Sequence, residues 1–360
     1  MRICFLASAA SIHSHKWINY FNKLGYEVTW ISIDKSSYKV SSEIDYVEIV
    51  SNNKFIASLK AIKTLKRKLI ENDIDLIHVH YLGFYGLISL FTNVRIISTA
   101  WGDDILINGK NFFIKYLVLK MLKKSETITC DAYHLKNILI SWGVPKDKVH
   151  IINFGIDTNL FCKKPYNKKL SDKLGVGGRM TVVSTRNFDE IYDIPTLIRS
   201  IPIVIKELPE TVFVLLGKGP LKSNYKKLID KLNVDDNVIF AGQVPNSNLP
   251  ELLSNMDIYV STSLSDAGIS AGTAEAMACE TIAVISDSAE NDRWINNKEN
   301  GFLFSCGDHL QLSKILIKLL KKRDDFKDIA HKGREVIVKN NGYVNEMNKI
   351  KKIYDLMINK

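Results

Sequence analysis

Residues 256–280, MDIYVSTSLSDAGISAGTAEAMACE, decide which fold this chain adopts. The run DIYVSTS is β-branched and aromatic, which is typical of a buried strand, and the apolar stretch AEAMA is typical of a helix that packs on a sheet. A turn that contains Gly268 joins the two. A strand, a short turn and a helix in this order predict one unit of a parallel α/β sheet.

The same alternation of strands and helices continues on both sides of this stretch. Apolar runs that predict strands lie at residues 3–9, 26–33, 74–80, 95–102, 126–134 and 148–155 of the first half, and at 179–186, 211–217, 237–242, 281–287 and 301–305 of the second. Helical periodicity separates them. Each half therefore predicts a doubly wound, Rossmann-like parallel sheet, in which chemistry gathers beyond the carboxyl ends of the strands.

The chain is also too long for one hydrophobic core, since single cores stop growing near ~250 residues and this chain has 360. A polar, basic run at 163–172 contains Pro165 and has no apolar periodicity, which indicates a linker. We predict two domains that face a cleft, at 1–165 and 173–335. The charged helical stretch 336–360 is expected to cross back onto the first domain.

Composition excludes several classes of protein. The apolar share of 46% and the charged share of 24% are those of a globular chain, and no apolar run reaches the ~18 residues that a membrane span needs. The apolar run at residues 1–10 is too short for a secretion signal and is read as a strand. The five cysteines are odd in number and form no C-x-x-C pair, so neither a disulfide framework nor a zinc cage is indicated. A cytoplasmic protein is expected.

The positive charge is concentrated in the first half. Residues 1–170 contain 24 Lys and Arg against 14 Asp and Glu, while the remaining residues contain 25 of each. In the helical stretches 54–70 and 110–124, lysines border an apolar stripe, which favours peripheral binding to an anionic membrane face. The alternative is that both are outer helices of the sheet with solvated basic faces.

The turn before AEAMA is a candidate phosphate site. A helix that begins near Gly272 would direct backbone N–H groups toward a diphosphate, and a glycine at 268 leaves room for it. The groups concerned are those of Gly268, Ile269, Ser270 and Ala271. The alternative is an ordinary strand-to-helix turn.

Three further features of the second half suggest a nucleotide-sugar donor. Glu275 lies in the apolar stretch of the helix and needs a hydrogen-bond donor, either the hydroxyls of a ribose or a structural salt bridge. Arg186 ends a strand, where a guanidinium can neutralise a leaving diphosphate, although a surface arginine is the alternative. Gly217 and Gly219 follow another strand and permit close approach of a ligand, a weak signal alone.

Polar residues at strand ends of the first half are candidates for the acceptor side. Trp101 is followed at once by Asp103 and Asp104, which either cap a helix or orient a reacting hydroxyl. His13 and His80 also follow strands. Each is either a hydrogen-bonded structural residue or a proton carrier.

These motifs together resemble the retaining glycosyltransferases of family 4, which have the GT-B fold. The resemblance extends from HSHKWINYFNKLGYEV at 13–28 through STAWGDDIL at 98–106 to GKGP, FAGQVP, AEAMA and NGFLF. It implies that Arg186 binds the donor diphosphate, that Gly217, Gly219 and Val244 border the base, and that Glu275 binds the ribose. It also implies that no metal or other cofactor is required.

The departures from the family pattern are equally specific. The first of two family glutamates is missing, and the neighbouring Asp266 is expected to contact the donor sugar in its place. The family usually has a lysine five residues after this arginine. That lysine is absent here, and Ile191 and Tyr192 stand at its place. Trp101 stands where many relatives have a histidine beside the reacting sugar, and Asp103 is then the acceptor-side candidate for orienting the reacting groups.

The resemblance implies transfer of a sugar from a nucleotide diphosphate sugar to a sugar, lipid-linked or protein acceptor, with retention of anomeric configuration. Cell-surface polysaccharide, lipopolysaccharide or glycoconjugate synthesis is the expected context. A nucleotide-sugar epimerase or another GT-B enzyme is the alternative, because a fold does not fix a function. A nucleic-acid-binding protein is disfavoured, since the basic half contains no recognition motif.

Overall fold

The computed structural model describes residues 1–106, 112–266 and 268–358, and the side chains of Asp103, Phe112, Phe113 and Ile114 are outside this description. The chain divides into two compact units. The first unit contains Met1–Phe154 and Glu346–Lys360, and the second contains Gly155–Asn345.

The first unit is built on a parallel sheet in the order β3-β2-β1-β4-β5-β6-β7. The order reverses direction between β1 and β4, which is where doubly wound sheets bind ligands. Its strands are β1 (Arg2–Leu6), β2 (Glu27–Ser32), β3 (Asp45–Glu48), β4 (Leu76–His80), β5 (Arg95–Ala100), β6 (Thr127–Cys130) and β7 (Val149–Ile151). Its helices are α1 (Ile12–Lys23), α2 (Lys54–Glu71), α3 (Phe84–Ser89), α4 (Asp103–Leu106), α5 (Phe112–Lys124) and α6 (Tyr133–Ser141).

Helix α2 packs through small residues. Ala57, Ala61 and Leu65 are buried against the sheet, whereas Phe55 and Leu59 are about half exposed. Their helical spacing in the sequence predicts that Phe55 and Leu59 lie on one apolar stripe with Leu65. The structure separates them, because the small side chains let the helix approach the sheet along a different face.

The second unit has a parallel sheet in the order β10-β9-β8-β11-β12-β13. Its strands are β8 (Thr181–Ser184), β9 (Val212–Leu216), β10 (Val238–Gly242), β11 (Ile258–Ser261), β12 (Ile282–Ser286) and β13 (Phe302–Phe304). Its helices are α7 (Lys168–Leu174), α8 (Ile194–Glu207), α9 (Lys222–Leu232), α10 (Leu249–Ser254), α11 (Ala271–Ala278), α12 (His309–Lys321) and α13 (Lys327–Asn341). Apolar clusters cover both faces of this sheet, which explains why its strands are continuous apolar runs.

The last helix, α14 (Tyr343–Ile358), begins in the second unit and continues into the first. Within the first unit, the fully buried Tyr354 lies 2.5 Å from Nδ1 of His78 on β4. Glu346 accepts a hydrogen bond of 2.8 Å from the backbone N–H of Asn153. These buried polar contacts fix this helix to the first sheet.

Two parallel sheets covered by helices confirm the predicted α/β fold class. No helix within the described ranges is long and apolar enough to cross a membrane.

Candidate active site

The second unit brings together several predicted donor-site residues at the carboxyl ends of its strands. Arg186 follows β8, Gly217 follows β9, and Asp266 lies in the loop that follows β11. Strands β9, β8 and β11 are neighbours in this sheet, so the three loops share one edge.

Arg186 is the centre of this group. Its guanidinium forms an ion pair with Asp266, and both side chains are nearly buried, at 10% and 8% exposure. The same guanidinium donates a 2.6 Å hydrogen bond to Oγ of Ser263 and lies 4.3 Å from the ring centre of Tyr192. Planar stacking and a fixed partner hold the guanidinium in one orientation.

Burial and the ion pair act in opposite directions on the carboxyl group of Asp266. Burial raises the pKa of Asp266, and the positive charge of Arg186 opposes that shift. Nε of Arg186 is buried and has no partner among the described residues. The sequence does not predict the side chains that position Arg186, namely Ser263, Asp266 and Tyr192. Of these three residues, only Tyr192 could have been suspected from the sequence as a neighbour of Arg186, since it occupies the place of the family lysine.

The glycines of the GKGP turn approach this loop closely. A Cβ atom on Gly217 would lie 2.5 Å from the carbonyl oxygen of Arg186, and one on Gly219 would collide with the backbone of Phe188. Backbone hydrogen bonds join the two segments, with Phe188 donating to Lys218 at 2.9 Å. The glycines therefore set the position of the Arg186 loop.

Helix α11 points its N-terminus toward the same strand ends. Ser270 caps the helix by accepting a hydrogen bond of 3.2 Å from the N–H of Thr273, and Gly268 has φ of +64°, which favours glycine. A Cβ on Gly272 would lie 2.5 Å from the hydroxyl of Thr185, directly before Arg186. The helix end and the arginine are thus neighbours, which is the arrangement that binds anions.

The remaining donor-side residues lie in the same unit. Glu275 is partly buried on α11, and Ile269 and Val244 are partly buried against the second apolar cluster of this unit. Gly217 donates a 3.1 Å backbone hydrogen bond to Gly242 at the end of β10, two residues before Val244.

In the first unit, three of the predicted acceptor-side residues form one aromatic cluster. The ring centres of His13 and Trp101 are 5.6 Å apart, and those of His80 and Trp101 are 5.5 Å apart. Phe154 packs on His13 at 4.1 Å. Burial lowers the pKa of His13 to about 4 and that of His80 to about 3, so both imidazoles are neutral near pH 7.

Asp104 is fully buried and accepts hydrogen bonds from the backbone around this cluster. Its carboxylate accepts hydrogen bonds of 2.8 Å from Leu82 and 3.0 Å from Trp101, which joins the loops after β4 and β5. Burial raises its pKa to about 6, although those hydrogen bonds act to lower it. Asp103 begins α4, and its side chain is outside the described part of the structure.

No group of three His, Cys, Asp or Glu side chains suited to a metal ion occurs among the described residues. Arg186 and the N-terminus of α11 bring positive charge together at this edge of the sheet.

Comparisons with known proteins place these two units in one enzyme class. The family model described as glycosyl transferases group 1 matches residues 167–336, and the model described as glycosyl transferase 4-like matches residues 2–132. Two doubly wound units of this kind are the architecture of the GT-B fold. These matches identify the chain as a group 1 glycosyltransferase, which confirms that part of the resemblance found in its sequence.

Individual relatives are distant. The chain is similar to N-acetyl-alpha-D-glucosaminyl L-malate synthase of Bacillus anthracis, with 21% identity over 74% of this chain and 70% of that protein. It is also similar to alpha-monoglucosyldiacylglycerol synthase of Streptococcus pneumoniae, with 26% identity over 59% of this chain, and the match spans about half (48%) of that protein. Among solved structures, HepE of Anabaena in complex with UDP superposes with a TM-score of 0.82 at 17% identity and covers 99% of this chain and 100% of that one.

Proposed function

We propose that this glycosyltransferase moves a sugar from a uridine or guanosine diphosphate sugar, bound mainly by residues 184–300, to an acceptor alcohol with retention of anomeric configuration. The observation that carries the proposal is the fixed guanidinium of Arg186 beside the N-terminus of α11. The UDP in the HepE structure supports the choice of donor.

The chemistry requires stabilisation of a leaving diphosphate. Arg186 donates to its oxygens in this proposal, and the N–H groups of residues 268–271 supply further donors without a bound metal. Asp266 fixes the guanidinium and, in this proposal, also contacts hydroxyls of the donor sugar. Glu275, which is partly buried on α11, accepts hydrogen bonds from the ribose hydroxyls in this proposal.

The acceptor side belongs to the first unit in this proposal. Trp101, His13 and His80 form its aromatic wall, Asp104 positions the two loops that carry Trp101 and Leu82, and Asp103 orients the reacting hydroxyl. The relative in Streptococcus pneumoniae has the name of a glycolipid synthase, which supports a cell-surface glycoconjugate as product. The basic surface of the first unit would hold the enzyme at an anionic membrane.

A donor panel tests this function. The full chain is incubated with UDP-glucose, UDP-galactose, UDP-N-acetylglucosamine and GDP-mannose, and release of the nucleotide is measured, since slow hydrolysis needs no acceptor. We expect release from at least one donor, and it should persist in EDTA. Release from none of them would contradict the proposal, and interconversion of the sugars without release would indicate an epimerase.

Proton NMR of a freshly formed product decides the stereochemistry. A front-face reaction retains the anomeric configuration of the donor, because the acceptor hydroxyl attacks from the side that the diphosphate leaves. An inverted anomer would remove the proposed mechanism while leaving the transferase activity intact.

A further inference from the structure

A cavity of about 600 Å³ lies within the first unit at the carboxyl ends of β1, β2, β4 and β5. Ligand sites in proteins are typically concave, mostly apolar spaces of this size, so this cavity is a candidate ligand site. It lies directly beside the aromatic cluster, since both His80 and Trp101 line it.

Most of the cavity wall is carbon. Helices α3 and α5 and the loop after β4 contribute apolar side chains, namely Leu82, Phe84, Leu87, Leu117, Val118 and Met121. Gly86 on α3 permits this arrangement, because a side chain there would collide with the sulfur of Met121 on α5. A sugar hydroxyl against such a wall would lose its hydrogen bonds to water without replacement.

The charged residues in the wall neutralise each other. Lys54 forms an ion pair with Asp34, and the hydroxyl of Tyr85 donates a 2.7 Å hydrogen bond to the same carboxylate. A ligand therefore meets no unpaired charge from these residues. This disfavours a charged group in this part of the cavity.

His80 and Trp101 form one end of the cavity wall. His80 is 1% exposed, and neither its ring nitrogens nor Nε1 of Trp101 is accessible to a ligand in the cavity. The two rings therefore extend the apolar wall of the cavity up to the aromatic cluster.

We propose that this cavity binds an alkyl or aryl group carried by the acceptor, whose reacting part lies toward His80 and Trp101. The inference rests on the proposed function and names its acceptor class, an amphipathic alcohol with an uncharged apolar part. The apolar group fills the space between α3 and α5.

Calorimetry on the full chain without any donor tests the apolar part. The probes are n-octyl β-D-glucoside, below its micelle concentration, and methyl β-D-glucoside. Burying the additional methylene groups should make the octyl compound bind at least about 30-fold more tightly. Equal affinities, or no binding of the octyl compound, would overturn the proposal.

Variants locate the site. Leu117 and Leu87 are partly exposed, so Leu117→Asn and Leu87→Asn change the wall without burying a new polar group completely. Each should weaken octyl glucoside binding at least about fivefold, because each removes apolar contact. Leu310→Asn, on the exposed face of α12 in the second unit, is the matched control and should bind like the wild type.

A photoreactive probe keeps the test decisive if a variant unfolds. Octyl glucoside with a terminal diazirine is crosslinked to the wild-type protein, and the modified peptides are identified by mass spectrometry. Labels within 80–87 or 117–121 support the cavity, and labels confined elsewhere contradict it. Nucleotide release from a donor sugar is measured on the same preparations. Its absence would indicate failure of the proposed function, whereas its presence without octyl binding would remove only this inference.

Discussion

At the scale of single residues, the properties of Arg186 depend on three neighbours. Asp266 neutralises it, Ser263 accepts a hydrogen bond from it and Tyr192 stacks on its plane. A guanidinium in this setting can bind a diphosphate without first losing the freedom of a long side chain, which lowers the entropic cost of binding.

We predict that Arg186→Ala weakens UDP binding at least about tenfold, because a charge-assisted hydrogen bond contributes roughly 1.5–3 kcal/mol. Arg186→Lys should recover only part of this affinity, since lysine has neither the planar fork nor the stacking surface. Titration calorimetry measures both. Arg199→Ala changes an exposed arginine on α8 and is the control. UDP affinity equal to that of the wild type in Arg186→Ala would remove Arg186 from the donor site.

Glu275 carries the second prediction at this scale. If its carboxylate accepts the ribose hydroxyls, Glu275→Ala should raise the Kd for UDP by about tenfold or more, since hydrogen bonds to charged groups contribute roughly 1.5–3 kcal/mol. Calorimetry with UDP gives the answer. Glu210→Ala removes an exposed carboxylate of the same unit and should leave the Kd unchanged. An unchanged Kd in Glu275→Ala would show that the ribose assignment is wrong.

At the scale of elements, the GKGP turn should affect both the stability of the fold and the binding of UDP. Gly217→Ala should both lower the melting temperature and weaken UDP binding, because the new Cβ would lie 2.5 Å from the carbonyl oxygen of Arg186 and must displace its loop. Gly307→Ala provides the control, since Gly307 has φ of +75° and no atom within 4 Å of the added Cβ. It should lose about 1–2 kcal/mol of stability from backbone strain and keep its UDP affinity. If both variants bind UDP alike, the turn does not position Arg186.

The sequence predicts most of the strands and helices but few of the side-chain contacts between them. The strands β8, β9, β11 and β12 were found because strands buried on both faces are continuous apolar runs. The edge strand β3 was missed, since it is short and its residues are partly exposed. The ion pair between Arg186 and Asp266 joins loops that are 80 positions apart, and no local pattern indicates it. The cavity was missed for a similar reason, because it depends on how closely α3, α5 and four strand ends approach each other.

At the scale of the whole molecule, the charge distribution is the main feature outside the sites. The excess of positive charge is confined to residues 1–170. The structure shows which lysines are available at the surface. Lys60, Lys63 and Lys66 on α2 are exposed, whereas Lys68 pairs with Asp45 at 2.8 Å. Exposed apolar side chains of the same helix accompany them, namely Phe55, Ile56 and Leu59.

On helix α5, too, some lysines are exposed and another is held by hydrogen bonds. Lys120 and Lys123 are exposed, but Nζ of Lys124 donates a 2.6 Å hydrogen bond to the carbonyl of Leu90 and another to that of Thr92. Changing Lys124 would therefore disturb the packing of α5 as well as the charge. Lys110 is outside the described residues. The informative variants are those on α2 together with Lys120 and Lys123.

We predict that the first unit binds anionic membranes through this basic surface. Each lysine near such a surface contributes on the order of 1 kcal/mol, so a few lysines give reversible binding that salt weakens. In liposome flotation at low salt, the protein should float with vesicles that contain phosphatidylglycerol and much less with pure phosphatidylcholine. The combined Lys60→Glu, Lys63→Glu and Lys66→Glu variant should lose most of this recovery, and adding Lys120→Glu and Lys123→Glu should abolish it. A variant with Lys227→Glu, Lys231→Glu and Lys314→Glu carries the same change of charge on exposed positions of the second unit and should still float. Equal loss in both sets would mean that net charge alone drives the attraction, and equal recovery on neutral and anionic vesicles would contradict an electrostatic surface altogether.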